Sequence, residues 1–543
     1  MYLRSIRIEN FRAIREGFVS FDETTLLIGE NDSGRTSVIE ALALILGAEE
    51  ERFEARLQPL HIHQAPGVSR ALLRIQLSLE EHLPGAWRPP PEIASAFDRN
   101  AAGLRCFRFD FEASATAGDG QLAVTWFIRD TPSSPAELVD SPLLLDWLRQ
   151  MAPMLWLRSG VVSPAQQTRG GVLTDPLLAE VARCYHNLVA GTSADLVSEL
   201  ERGAAAAAGV VEKYTHLFAG AAPLMGAMAA EVLRRTTVAP AASLPSAASA
   251  ARKIGMVLLL GAVLQLARRA TLPEAMPLLV LDNPESNLHP MTLASVWRLL
   301  ERVSIQKIIS TNSGTLLSNA PLSGIRRLTR IGGQVSEWRV QPGALTSEDL
   351  RRVAYHVRSR RASALFARCW LLAEGETEFW VMPELARVLG YDFGELGIAP
   401  VEFAQAGLRA LVKLADALGI SWHLMADGDT AGDHYVSAAR DASRLAAGRY
   451  PGASVTQLPQ TDIEHCFWFA GFDDVIRKIA YPKTSPQRVS AKAAIHKAIE
   501  RTSNPFLALS LIEAAAGRGP ASVPAILRQV IEDCVQLANA GTR

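Results

Sequence analysis

The sequence predicts an α/β protein built as two domains in series, each around a parallel sheet. Three observations carry that expectation. Leu26-Leu27-Ile28 is a short apolar run that passes through the glycine-bounded loop of residues 29–36 into a helical pattern over residues 37–46, closed by Gly47. From Trp370 onward, short apolar runs alternate with helical periodicity: residues 370–373, a helix to 389, 400–404, a helix over 408–418 with Gly419 as its cap, 421–426, a further helix, and 455–459. Strands that alternate with helices argue for a parallel sheet covered on its faces. Finally, three of these later runs stop abruptly at acid: Glu374-Gly375-Glu376-Thr377-Glu378, Asp427-Gly428-Asp429, and Asp462-Ile463-Glu464-His465.

At 543 residues the chain has length for two or more domains, each with its own core. An apolar fraction of 48% with 20% charged residues indicates a soluble globular chain rather than a disordered one. The formal net charge is −1, so attraction to nucleic acid has to come from local basic patches, not from the global field. The five cysteines, Cys106, Cys184, Cys369, Cys466 and Cys534, are odd in number and contain no C-x-x-C pair. That argues against a zinc ribbon or a disulfide framework and suits a reducing cytoplasm. The opening residues are charged and strand-like, unlike a signal peptide. Residues 254–267 are apolar but too short to span a bilayer, with Lys253, Arg268 and Arg269 at their ends; they read as a buried core helix, and no membrane is expected as a partner.

In chain order, residues 6–9 alternate as a half-buried strand, and residues 18–21 suit a second one. The loop that follows has the spacing G-x-x-x-x-G-[basic]-T. Its backbone N–H groups and the helix N-terminus would face an anion, and Thr36 could reach Mg²⁺. The plain alternative is a βα turn. Residues 73–79 and 123–128 give further strand-like alternation, and residues 135–242 turn helical and alanine-rich, a helical insertion. Residues 277–281 are strand-like and end in Asp282-Asn283-Pro284-Glu285, the acid-terminated partner a phosphate-binding loop requires.

Taken with Ile8-Glu9-Asn10-Phe11-Arg12 (I-x-N-F-R), these motifs resemble the ABC-type ATPase head shared by the OLD (overcoming lysogenization defect) nucleases and by RecF- and SMC-like proteins. Residues 282–290 resemble the D-E-P-E-x-x-L-H-P segment of that class, and residues 307–313 its next strand and switch loop. The resemblance covers roughly residues 1–333. It implies that ATP with Mg²⁺ is held by Gly29, Asn31, Gly34, Arg35, Thr36, Ser37, Asp282, Glu285 and Asn312, with Thr36 and Asp282 on the metal side. Arg35 stands where the usual residue is lysine, Asn283 where it is glutamate, and Asn312 where many relatives have histidine. Residues 246–253 occupy the place of the ABC signature without a clear S-G-G pattern. In relatives, helical insertions pair subunits, and a local bundle is the alternative.

Acids at neighbouring tips of a parallel sheet converge and repel one another unless a cation sits among them, and hard ions such as Mg²⁺ or Mn²⁺ take such oxygen ligands. An isolated D-x-D would read as a solvated turn with Gly428 supplying the bend. The full series E-G-x-x-E, D-x-D, D-x-E is similar to the Toprim domain of topoisomerases, primases and OLD nucleases. That resemblance implies two-metal hydrolysis of DNA, with Glu374, Asp427 and Asp429 on one ion and Glu378, Asp462 and Glu464 on the second.

An ABC-type ATPase head at residues 1–365, with its insertion at about 135–242, followed by a Toprim-like domain at 366–543, identifies the chain as a member of the OLD family. T-N-S at 311–313 and D-x-E-H at 462–465 resemble its class 2 branch. The resemblance implies DNA as substrate, a homodimer or higher homo-oligomer, and a UvrD-like helicase partner in phage defence or DNA repair. Two basic stretches fit a phosphate-binding role or a solvated helix face: Arg351, Arg352, Arg358, Arg360, Arg361 and Arg368, then Arg477, Lys478, Lys483, Arg488, Lys492 and Lys497. Ser503-Asn504-Pro505 resembles the S-K-P of related nucleases, with Asn504 in place of the lysine. The rivals are a non-catalytic RecF- or SMC-like DNA-binding ATPase, against which the acids speak, and a topoisomerase or primase, the latter unsupported by any cysteine pair.

Overall fold

Three strands form in quick succession at the start of the chain, β1 (Tyr2–Phe11), β2 (Ile14–Ser20) and β3 (Thr24–Gly29). In β1, Ile6 and Ile8 are buried while Arg7 between them faces out, the period of two that a half-covered sheet imposes, and a break in register between Leu3 and Ser5 leaves Leu3 on the buried side too. The computed structural model describes residues 2–47, 57, 61–63, 70–116, 122–128, 141–158, 176–190, 195–213, 256–257, 275–286, 290–301, 305–355, 361–404, 406–445, 452–483 and 489–540. The chain divides into two compact units, Met1–Glu337 and Trp338–Arg543.

The first unit is a twelve-stranded sheet. Its further strands are β4 (Arg70–Glu80), β5 (Asp98–Arg99), β6 (Arg105–Thr116), β7 (Leu122–Ile128), β8 (Met154–Arg158), β9 (Leu278–Asp282), β10 (Gln306–Ser310), β11 (Ile325–Ile331) and β12 (Gln334–Trp338). The order is β5-β6-β4-β1-β2-β12-β11-β3-β10-β9-β8, with β7 on β6. One wing, β1, β2, β4, β5, β6 and β7, is antiparallel; the other, β8, β9, β10, β3 and β11, is parallel. The helix Arg35–Leu46 is apolar on nearly every side and is buried accordingly.

Helices occur where the insertion is expected, at Ser141–Met151, Pro176–Ala190 and Leu196–Lys213. The last two pack together around Glu199, which is 1% exposed and ion-paired to Arg202 at 2.5 Å and to Arg183 at 3.5 Å. The expected helical stretch also holds a strand of the main sheet. Met154–Arg158 continues the parallel wing by pairing Met154 with Leu278 and Trp156 with Val280, an edge position that a five-residue apolar run satisfies without alternation. Residues 214–255, with the expected signature region at 246–253, and most of the core helix expected at 254–267 lie outside the described residues.

The second unit is built on four parallel strands, β13 (Cys369–Ala373), β14 (Ile398–Glu402), β15 (Ser421–Ala426) and β16 (Ala453–Gln457), in the order β14-β13-β15-β16. The outer strands begin and end two residues earlier than expected. Phe403 and Leu458 are buried just past the ladder, while Ala399 and Ser454 inside it are only half-buried, so the apolar run marks the core and not the pairing. Helices Glu376–Val388, Asn504–Arg518 and Ala525–Ala540 share one core with the sheet. The expected border at residue 365 falls within this unit: helix Ser347–Val353 packs on helix Leu408–Ala417, and Lys413 meets Asp349 at 3.1 Å. Arg352 pairs with Glu348 and Arg361 with Glu402, so part of the basic connector is neutralised locally.

Candidate metal centre and nucleotide-binding loop

Parallel pairing gives all four strands of the second unit one direction, so their C-terminal ends form a single lip. The two middle strands, β13 and β15, are neighbours; Glu374 follows the first directly and Asp427 the second. Asp462 caps the short helix Ile463–Phe467 beyond β16. The loop after β15 lies hard against the loop after β16, with Gly428 N–H donating to the Gln460 carbonyl at 3.0 Å. A Cβ on Gly428 would collide with the carbonyl oxygens of Leu458 and Gln460, and one on Gly432 with that of Asp427. Gly428 has no positive φ, so close approach of backbone, not a bend, is what requires glycine there. Asp429 Oδ1 accepts the Gly432 N–H at 2.8 Å and starts helix Thr430–Leu445, while Glu378 Oε2 accepts the Gly375 N–H at 3.1 Å at the start of its own helix.

The six expected carboxylates are brought into one electrostatic cluster. Burial, then Glu378, Glu374, Asp462 and Glu464, push Asp427 up to about 8. Burial and then Asp462 hold Glu464 up at about 7. Burial raises Glu374, reinforced by Asp429 and Glu378, and burial raises Glu378, with Asp462 adding to it. Among the described residues, no three His, Cys, Asp or Glu side chains are grouped closely enough to hold a metal ion as they stand. An all-oxygen set under mutual repulsion is the donor chemistry that a hard divalent cation with some of its waters satisfies, and the residues fit Mg²⁺ or Mn²⁺.

The burial and repulsion that raise Asp427 have a measurable consequence. Asp427 binds its proton more tightly folded than unfolded, so between its ordinary pKa and about 8 the folded state holds the extra proton and stability falls as pH rises through that window. In EDTA, Asp427→Asn therefore melts above the parent at about pH 9, by about 2–4 °C for each kcal/mol relieved, and the gap shrinks toward zero by about pH 4. Melting curves of both proteins across that range check it; a constant gap would contradict it.

Several neighbours carry no signal in spacing. Gln457 Nε2 donates to Asp433 Oδ1 at 2.8 Å and to the Asp427 carbonyl at 3.4 Å, tying β16 to the D-x-D loop. Tyr435 stands in the field of Glu374 and Asp429, its ring against Phe403 at 4.8 Å. His423, fully buried in β15, meets Thr456 Oγ1 at 3.1 Å, and burial depresses it to about 4, so it is neutral. His465 alone was findable, three residues after Asp462 on a helix.

In the first unit, β3 delivers the glycine loop. Gly29 has φ 149°, and a Cβ there would strike the Leu328 carbonyl oxygen and Ser33 Oγ. Gly34, at φ 96°, precedes the helix Arg35–Leu46. Asn31 and Thr36 are exposed and Ser37 is buried. Arg35 departs from the expected phosphate contact: it is 6% exposed, and its Nη1 donates to the Thr311 carbonyl at 2.9 Å. A long planar fork reaches across to β10 where a lysine would end sooner. Burial lowers its pKa, opposed by Glu285 and Asp282.

The pairing of Ser310 with Asp282 across β10 and β9 places Ser310 Oγ 2.5 Å from Asp282 Oδ1. Asn283, in the left-handed region at φ 48°, donates its N–H to the Ser310 carbonyl at 3.0 Å, and Glu285 Oε1 accepts the Asn312 N–H at 2.6 Å. Thus the backbone of Asn312 is engaged by Glu285. Ser33 Oγ, Arg35 Nε, Asn283 Oδ1 and Glu285 Oε2 are buried without a hydrogen-bond partner. Buried polar atoms are nearly always satisfied, and four orphans from the loop and the β9 tip fit a site for a polar, metal-bearing ligand such as ATP with Mg²⁺.

Of the second basic stretch, Arg477 is paired to Asp473 at 3.1 Å and stacks over Trp468, whereas Lys478, Lys483, Lys492 and Lys497 are exposed; Arg488, like Arg358 and Arg360, lies outside the described residues. Ser503 caps the helix that Asn504 begins.

Residues 1–364 match the family described as protein of unknown function (DUF2813), and residues 365–429 match the overcoming lysogenization defect protein-like TOPRIM domain. The uncharacterized protein YbjD of Escherichia coli (strain K12) is 32% identical over 559 residues, spanning 99% of each chain. The C-terminal region of the Xanthomonas campestris pv. campestris OLD protein is 18% identical with a TM-score of 0.26, covering 32% of this chain and 94% of that one. The SMC head domain from Thermotoga maritima is 12% identical with a TM-score of 0.32, covering 63% of this chain and 100% of that one.

Proposed function

Because the chain belongs to the DUF2813 family and carries an OLD-like TOPRIM domain, we propose that it is a metal-dependent DNA endonuclease whose second unit cuts and whose nucleotide-binding first unit controls the cut. The observation that carries this reading is the electrostatic coupling of six carboxylates at one sheet lip, with Asp427 pushed up to about 8 by burial and then by four of the others. In it, Glu374, Asp427 and Asp429 hold one Mg²⁺ or Mn²⁺ and Glu378, Asp462 and Glu464 help hold another. Two such ions supply an activated water and stabilise the leaving oxygen of a phosphodiester. The chain's own part is to hold those acids in place, through the close approach of the two loops at Gly428 and of the Asp427 carbonyl to Gly432. A non-catalytic DNA-binding ATPase would leave the same acids repelling one another to no purpose.

The same reading makes DNA the partner, pairs two or more copies through their heads, and places the protein in the cytoplasm, where five free thiols persist. It also includes a UvrD-like helicase as companion in phage defence or DNA repair. No helix among the described residues is long and apolar enough to cross a membrane. Phosphate contact falls to the exposed Lys492 and Lys497 on helix Ala491–Arg501. Replacing both with Gln weakens binding to all DNA sequences alike and lowers the slope of log affinity against log salt by about one unit per lost contact. An unchanged slope in fluorescence-anisotropy titrations would make them a solvated face.

Supercoiled plasmid incubated with Mg²⁺ or Mn²⁺, with and without ATP, tests the function directly. Nicked and linear products should appear only with metal; plasmid left intact under every metal and nucleotide condition would refute it.

A further inference from the structure

Asp462 stands at the start of a five-residue helix, Ile463–Phe467, and one of its oxygens accepts twice. Oδ1 takes the His465 backbone N–H at 2.8 Å and lies 2.7 Å from His465 Nδ1. A helix cap needs only the first of these bonds. The second joins two side chains three residues apart and fixes the carboxylate about its own side-chain torsions, with the imidazole largely covered at 15% exposed. A carboxylate can only accept, so Nδ1 carries the hydrogen and Nε2 is the nitrogen left over. With Oδ1 bonded twice to His465, Oδ2 is the oxygen that His465 leaves open; Asp462 also shares a side-chain hydrogen bond with Glu464, and its charge is felt by Asp427, Glu378 and Glu464.

We propose that His465 is a positioning residue whose Nδ1–H holds Asp462 with its second oxygen turned to the cation among the acids. This rests on the metal-binding reading of the cluster. A hydrogen bond behind a ligating carboxylate orients the ligand and tunes its affinity, and its loss typically costs about 10- to 100-fold in metal binding. The histidine thus has a task that neither the helix cap nor packing explains.

The test titrates the full-length protein with Mn²⁺, read as loss of the free-ion electron paramagnetic resonance signal, in the parent and in His465→Asn and His465→Phe. Asn sets an N–H donor about where the imidazole has its own; Phe keeps a ring in the space and removes the donor. The proposal expects His465→Phe to bind Mn²⁺ about 10- to 100-fold more weakly and His465→Asn to recover most of the affinity. It is overturned if His465→Phe binds like the parent, or if both variants weaken alike, which is the mark of a packing role. A parent that binds no Mn²⁺, or an Asp427→Ala variant that binds it as the parent does, would instead remove the metal-site reading beneath it.

Discussion

Asp427→Ala abolishes metal-dependent DNA cleavage, with a rate loss of at least about 100-fold, more than is typical for a residue that merely supports a ligand. Asp427 sits at the centre of the cluster: it is the one acid that feels Glu374, Glu378, Asp462 and Glu464 together, so its removal withdraws an oxygen from the place where the proposed ions meet. The same substitution relieves a buried like-charge repulsion, so the metal-free protein does not lose thermal stability above neutral pH. Loss of cutting with stability kept or gained is the signature of a ligand. Cleavage at the parent's rate would mean that the acids are misassigned; a large drop in melting temperature would make Asp427 structural.

The second large effect concerns the first unit, where nucleotide should bind but turn over close to the uncatalysed background. Arg35 keeps a positive charge at the loop, yet its fork is buried on the Thr311 carbonyl and has to leave that bond to meet a phosphate. Asn283 follows Asp282 where a base is needed to take the proton of the attacking water; an amide orients water but accepts no proton at neutral pH. Glu285 has one oxygen occupied by the Asn312 N–H. Occupancy rather than turnover then sets the state of the head, and a non-hydrolysable ATP analogue changes DNA cleavage as ATP does. Asn283→Glu supplies the missing base and should raise steady-state hydrolysis by about 10²-fold or more, as positioned general bases do. Fast hydrolysis in the parent that vanishes in Arg35→Ala, with an analogue that fails to mimic ATP, would overturn this account.

The parts of the fold that follow from local pattern were legible in the sequence, and those set by distant contacts were not. Strand, glycine loop and helix at residues 24–46 were readable because the loop spacing and the helix period are local, and so was the acid at the ends of β13 and β15. The strand Met154–Arg158 was hidden, since its partner Leu278–Asp282 is far along the chain and its five apolar residues stand among helices. Gly428 was readable as special but for a different reason, because the carbonyls it must admit belong to Leu458 and Gln460. Arg35 was legible as a departure from lysine, while its burial against Thr311 depends on how β10 lies beside β3. In the second basic stretch, the chain's charges could be counted but not apportioned: Arg477 is spent on Asp473 while Lys492 and Lys497 remain exposed.

Equilibrium binding of Mn²⁺ to the purified full-length protein at about pH 8, near the value to which Asp427 is raised, reaches the central claim most directly. The account predicts saturable binding in nucleotide-free protein, release of protons as the ion enters, and loss of that binding in Asp427→Ala while the variant stays folded. No binding by the parent, or binding of equal strength and proton release in the variant, would contradict it.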